Sequence, residues 1–149
     1  MISCTMKSPV GDITVESSGE AITKIKFGSY GTDTPDALIL EAFCQLNEYF
    51  DGKRKSFELP LKPAGTEFQQ RVWSALCDIP YGQTRSYGDI AKATGNEKAC
   101  RAVGMANNKN PIAIVIPCHR VIGSGGAITG YASGLKVKKY LLELENNNK

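Results

Sequence analysis

Among 149 residues there is a single histidine, His119. That excludes any zinc site built on two or more imidazoles, and no Cys-x-x-Cys pair exists to begin a thiolate-rich one. The five cysteines, Cys4, Cys44, Cys77, Cys100 and Cys118, are odd in number and irregularly spaced, so no disulfide framework is expected. No apolar run approaches the roughly 20 residues that cross a bilayer. The opening Met1–Met6 has neither the charged nor the apolar region of a secretory leader, so the expected location is cytoplasmic. Internal repeats are lacking, and the only biased stretch, Asn146-Asn147-Asn148-Lys149, is expected to fray.

Hydrophobic residues make up 42% of the chain and charged ones 22%, an ordinary balance for a globular protein. The net charge of +3 is unevenly spread. Residues 1–63 carry 7 Lys+Arg against 9 Asp+Glu, whereas residues 64–149 carry 11 against 6, so a polyanionic partner is indicated for the second half. Short strands are expected over Ile2–Lys7, Asp12–Glu16 and Ala21–Phe27, divided by Ser, Pro and Gly turns. A helix from Pro35 to Phe50 follows, with Thr34 as N-cap and Leu38, Ala42, Leu46 and Phe50 inward, then a last strand over Ser56–Leu61. Lys62-Pro63-Ala64-Gly65 reads as a domain boundary.

Beyond it the pattern is helical. Thr66-x-x-Gln69 is a capping box that opens a helix with Phe68, Val72, Ala75 and Leu76 on one face. Ser86-x-x-Asp89 opens a second helix that stops at Gly95, and Asn96 is expected to cap a third over Glu97–Asn108. Two helices joined by so tight a turn read as a helix-turn-helix. On the third helix, Ala99, Ala102, Val103 and Ala106 form one face, and Lys98, Arg101, Met105 and Asn108 form another that is basic and polar. A DNA-reading face and a merely solvated one share this pattern.

Chemistry concentrates further on. The apolar run Ile112–Ile116 ends in Pro117-Cys118-His119-Arg120-Val121, followed by the glycine-rich Gly123–Gly126. A cysteine attacks as its thiolate, and a nearby imidazole makes that thiolate accessible. Adjacent residues of an extended chain point opposite ways, so a turn or a bridging water is needed for Cys118 and His119 to cooperate. The residues alone leave open an inert buried cysteine beside a structural histidine.

Ile116–Val121 resembles the active-site signature of the O6-alkylguanine-DNA alkyltransferases (methylated-DNA–protein-cysteine methyltransferases). The likeness extends in order through Gly82-x-x-x-Ser86-Tyr87, Gly95-Asn96, Arg101-Ala102-Val103-Gly104, Asn110-Pro111, Gly130-Tyr131 and Leu141-Leu142-x-x-Glu145. The resemblance implies a ribonuclease-H-like α/β domain over residues 1–63. It implies a mainly helical, winged-helix-like domain with the helix-turn-helix, carrying DNA binding and the alkyl acceptor, over 64–149. It further implies irreversible transfer of a methyl or other alkyl group from O6-methylguanine to Cys118, one event per molecule, after base flipping. His119 would take the thiol proton through a water, Glu145 would orient His119, and Asn110 would link the helix-turn-helix to the active segment. Tyr87 would help rotate the nucleotide out, and Arg101 would fill the gap. Gly88, Asn96, Ser124 and Gln69 would contact DNA, with Tyr131 and Ser133 over the base. The implied partner is double-stranded DNA carrying O6-alkylguanine, bound through its minor groove by a monomer, with no membrane, metal or cofactor.

Two departures bear on substrate range: Ala132 lacks a hydroxyl, and Ala113 stands where some relatives have proline. Three rivals compete. A non-catalytic lesion sensor lacks the acceptor cysteine. A plain helix-turn-helix regulator leaves Pro117–Arg120 and Glu145 without a role. A cysteine hydrolase needs an oxyanion hole to which nothing points.

Overall fold

A computed structural model describes all residues, 1–149. The chain forms two compact units: residues 1–64 with 111–115, and residues 65–110 with 116–149.

In the first unit β1 (Ile2–Met6), β2 (Ile13–Ser17) and β3 (Ile22–Phe27) form an antiparallel sheet in that order. Its register aligns Cys4 with Val15 and Ile25, and Met6 with Ile13 and Phe27, which gathers the apolar side chains on one face. Helix α1 (Ala37–Phe50) packs against β2, burying Ile39, Ala42, Leu46 and Tyr49. Asp36, not Thr34, caps it. Its carboxylate accepts from the Ile39 N–H at 2.8 Å and from the Ser17 hydroxyl at 2.9 Å, so the helix starts later and Ile39 replaces Leu38 in the core.

Residues 56–61 are not a strand. Pro60 has no N–H to give, and the segment makes a single bridge, Leu61 to Ile22. Buried Gln45 takes the place of a neighbouring strand, accepting from the Glu58 N–H and donating to the Glu58 carbonyl. The return of residues 111–115 to this unit has a similar cause. Ile25 donates to the Pro111 carbonyl at 2.9 Å and accepts from the Ala113 N–H at 3.0 Å, so the apolar run satisfies its backbone along β3.

The second unit is helical. The expected capping box opens α2 (Glu67–Cys77), the expected start at Ser86 proves to be a capping box as well and opens α3 (Tyr87–Ala93), and Gly95 ends the α3 region at φ +91°. Trp73 is buried in α2 with Val72 and Leu76, and its Nε1–H donates to the Ala106 carbonyl at 2.9 Å. That carbonyl belongs to α4 (Cys100–Asn108). Helix α4 begins three residues later than expected, because Asn96 spends its side chain on a local turn to the Lys98 N–H. The shift places buried Asn107 on the inner face and leaves Ala102 exposed. Short β4 (Arg85–Ser86) and β5 (Val121–Ile122) pair in parallel. Helix α5 (Leu135–Asn148) closes the chain and includes the asparagines expected to fray. Its buried stripe is Lys138, Leu141 and Glu145, with Val137 only half-buried. No helix is long and apolar enough to cross a membrane.

Candidate active site

Cys118, His119 and Arg120 form a single turn of 3-10 helix, all three buried. Three residues per turn send successive side chains about 120° apart. Adjacency therefore does not join sulfur to imidazole. The side chains of Asn110 and Tyr131 adjoin the sulfur instead. Burial holds the Cys118 thiol above its ordinary value, and Asn110, Tyr131 and the positive charge of Lys138 offset it only in part. Asn110 also donates to the Ile116 carbonyl at 2.8 Å, which fixes it beside the segment it serves.

His119 is fully buried, and its Nε2 lies 2.6 Å from Glu145 Oε2. Burial outweighs the carboxylate's pull, so the imidazole titrates below its ordinary value and is neutral at pH 7. Burial also works against the Glu145 charge, but hydrogen bonds from His119 and Arg120 prevail and hold the carboxyl down to about 2. Arg120 is a second tether: Nε reaches Glu145 Oε1 at 2.7 Å and an amino nitrogen reaches Oε2 at 3.1 Å. Its other amino group donates to the Ile79 carbonyl at 2.7 Å. An ionised carboxylate accepts at both oxygens, so Nε2 carries the imidazole proton and Nδ1 is the accepting nitrogen.

The other expected residues divide into groups. Tyr87, Gly88, Arg101 and Ser124 line one cleft of about 560 Å³, together with Gly104, Thr129 and Gly130. Tyr87 donates to the Thr129 carbonyl at 3.3 Å. A Cβ built on Gly130, itself at φ +59°, would lie 2.9 Å from the Tyr87 hydroxyl, so a larger residue there would have to displace that hydroxyl. Cys118 does not line this cleft. Tyr131, next to Gly130, stands on the sulfur and is itself pushed upward by burial and by the cysteine. Asn96 lies in its turn, Gln69 accepts from the Thr66 N–H in the α2 cap, and Ser133 is exposed before α5; none of the three reaches the cleft.

Family models for the 6-O-methylguanine DNA methyltransferase ribonuclease-like domain and DNA binding domain match residues 1–63 and 67–147. The chain belongs to the 6-O-methylguanine DNA methyltransferase family. The methylated-DNA–protein-cysteine methyltransferase of Methanosarcina acetivorans is 52% identical over 95% of this chain and 96% of its own length. That of Mycobacterium tuberculosis is 47% identical, over 96% and 91%. The crystal structure of the Mycobacterium tuberculosis protein in complex with DNA superposes with a TM-score of 0.92 at 47% identity, covering 99% of this chain and 94% of that one. Schizosaccharomyces pombe Atl1, bound to damaged DNA containing O6-carboxymethylguanine, shares 37% identity over 55% of this chain and 78% of its own, with a TM-score of 0.50.

For this methyltransferase, sequence reasoning overlooked two site residues. Arg120 stood inside the quoted motif, and its signal was the uncommon basic residue directly after a buried run. Lys138 is buried in α5 and donates to the Val121 carbonyl at 2.5 Å and the Thr129 carbonyl at 2.6 Å. It thereby ties the glycine-rich loop beside the sulfur. Its helical spacing to Leu141 and Glu145 was the available signal.

Proposed function

We propose that this chain repairs O6-alkylguanine in double-stranded DNA by moving the alkyl group irreversibly onto Cys118, with residues 64–149 carrying DNA binding and acceptor alike. The observation that carries the reading is a buried thiol, flanked by Asn110 and Tyr131, followed directly by an imidazole held on an ionised carboxylate. His119 takes the thiol proton at Nδ1 through a water, and Glu145 stabilises the imidazolium that results. Asn110 and Lys138 favour the thiolate. A sulfur lone pair then forms the S–C bond as the C–O6 bond breaks. The released electron pair passes to guanine, which takes up a proton. The product is a thioether with no carbonyl for water to attack, so each molecule acts once.

The alkyl carbon inside a duplex is out of reach, so the nucleotide must be everted. Arg101 fills the space it leaves, and Tyr87 helps rotate it out. Gly88, Asn96 and Ser124 contact the backbone, as does Gln69 through the amide nitrogen not used in its cap. The Tyr131 hydroxyl leaves the sulfur as the alkyl carbon approaches, and Tyr131 and Ser133 then cover the base. Helix α4 enters the minor groove, where its small residues suit bent, sequence-tolerant binding. The protein acts as a monomer without a cofactor, and its five free thiols suit the reducing cytoplasm.

Incubation with an O6-methylguanine duplex should add one methyl to the peptide that contains Cys118, seen by mass spectrometry. Cys118→Ser should abolish transfer while retaining DNA binding, whereas Arg101→Ala should weaken both. Binding without any modified peptide would instead indicate a non-catalytic lesion sensor.

A further inference from the structure

Two buried acceptors beside Cys118 have no hydrogen-bond partner within the protein, Asn107 Oδ1 and His119 Nδ1. Asn107 is 1% exposed and His119 fully buried, and both belong to the second unit. A buried carbonyl left unpaired costs stability. Packing does not call for one here, since leucine branches at the same carbon and would fill the inner face of α4 without that cost. Nor does the main chain depend on the amide. Its Nδ2 donates to the Cys118 carbonyl over a long 3.4 Å, and that carbonyl also accepts from the Val121 N–H. The bond does fix how the amide lies, because the opposite orientation would set two acceptors face to face. Asn107 thus stands on the peptide link between Cys118 and His119, and Nδ1 is the imidazole nitrogen nearer that link.

We propose that Asn107 is a positioning residue for the transfer, whose side-chain carbonyl holds the water that carries the Cys118 proton to His119. This inference rests on the reading of Cys118 as acceptor and His119 as its base. The water donates one hydrogen to Asn107 Oδ1 and the other to His119 Nδ1, and it accepts from the Cys118 thiol. Three bonds are what a buried water ordinarily makes. With one hydrogen held on Oδ1, the other stays aimed at the imidazole. As the thiol proton passes to the water oxygen, that second hydrogen passes to Nδ1 as a proton, so thiolate and imidazolium form together and the water is regenerated. Glu145 and Lys138 from α5, Arg120 from the same turn and Tyr131 from the loop before α5 face this pair and stay in place when Asn107 is replaced.

The test uses the full-length protein and an O6-methylguanine duplex, with the single-turnover rate constant followed across pH. Asn107→Leu should be about as stable as the wild type in urea titration, because it removes an unpaired carbonyl. Asn107→Val, smaller and equally apolar, should behave alike and serves if leucine proves too bulky to fold. At about pH 7 either variant should transfer roughly tenfold more slowly, the worth of one hydrogen bond between uncharged groups. The deficit should shrink below about threefold at about pH 9.5, where hydroxide takes the thiol proton directly. A residue that served packing alone would slow transfer equally at both. Asn107→Ser, whose hydroxyl can bond a water, should recover most of the rate. His119 is the only histidine, so nitrogen NMR gives one Nδ1 signal, and it should move in the apolar variants as that atom loses its hydrogen bond. Undiminished transfer by both apolar variants, a deficit that is the same at both pH values, or an unmoved Nδ1 signal would overturn the inference. A wild type that binds the duplex yet leaves Cys118 unmethylated would count against the repair reading, a separate failure.

Discussion

Replacing Arg120 with methionine removes three hydrogen bonds and leaves the Glu145 carboxylate and the Ile79 carbonyl buried without it. Held at about 2 against an ordinary 4.5, the Glu145 carboxyl is tied to folding by on the order of 3 kcal/mol at neutral pH. Glu145 is 1% exposed, so solvent does little to screen the lost charge. Removing one partner of such a buried pair costs about 3–5 kcal/mol. Arg120→Met should therefore lose about that much unfolding free energy at pH 7 in urea titration. The sign of the pH dependence follows from the direction of the shift. A depressed carboxyl contributes stability that is present above its unfolded pKa and lost as pH falls through its folded one. Wild-type stability should therefore drain away between about 4.5 and about 2. In the variant the carboxyl titrates higher and the penalty disappears once it is protonated, so the two proteins should converge as the solution is acidified. A gap below about 1 kcal/mol at pH 7, or one that stays constant down to pH 3, would refute the assignment of Arg120 as a partner that, with His119, keeps Glu145 ionised.

Two further outcomes are expected. Burial holds the His119 imidazole below its ordinary 6.5, so the single-turnover rate constant should stay level as pH falls from about 8 and drop only below that value; a profile already halved at 6.5 contradicts the neutral-imidazole reading. Asp36→Ala should destabilise the first unit by about 1–2 kcal/mol, since it removes both the α1 cap and the bond to Ser17, and a change within about 0.5 kcal/mol in urea titration would contradict that.

What could be read from the chain was whatever local chemistry decides. The Thr66 capping box, the helix start at Ser86, the Gly95 stop and the three strands depend on residues within a few positions of one another, and they stand as expected. The order of motifs from Gly82 to Glu145 likewise sufficed for the family. Where distant partners decide, sequence reading failed. Thr34 and Asp36 are both good caps, and the choice falls to Asp36, which also bonds Ser17. Residues 56–61 alternate like a strand but find a glutamine side chain at Glu58 in place of a ladder. The apolar run 112–116 gave no hint that Ile25 would take up its backbone. Within the site, adjacency left open how Cys118 and His119 would cooperate, because neighbours in an extended chain point opposite ways. The sulfur's neighbours are Asn110, which follows α4, and Tyr131, from the loop before α5.

The tight turn at Cys118–Arg120 limits how such a protein can vary. The proposed nucleophile and base and the arginine that clamps Glu145 occupy three consecutive positions, each aimed in its own direction by the winding of one turn. Inserting or deleting a single residue there would swing every later side chain by about a third of a revolution and scatter all three functions at once. Length can change in the glycine-rich stretch that follows, whereas this tripeptide has to be inherited as an indivisible unit.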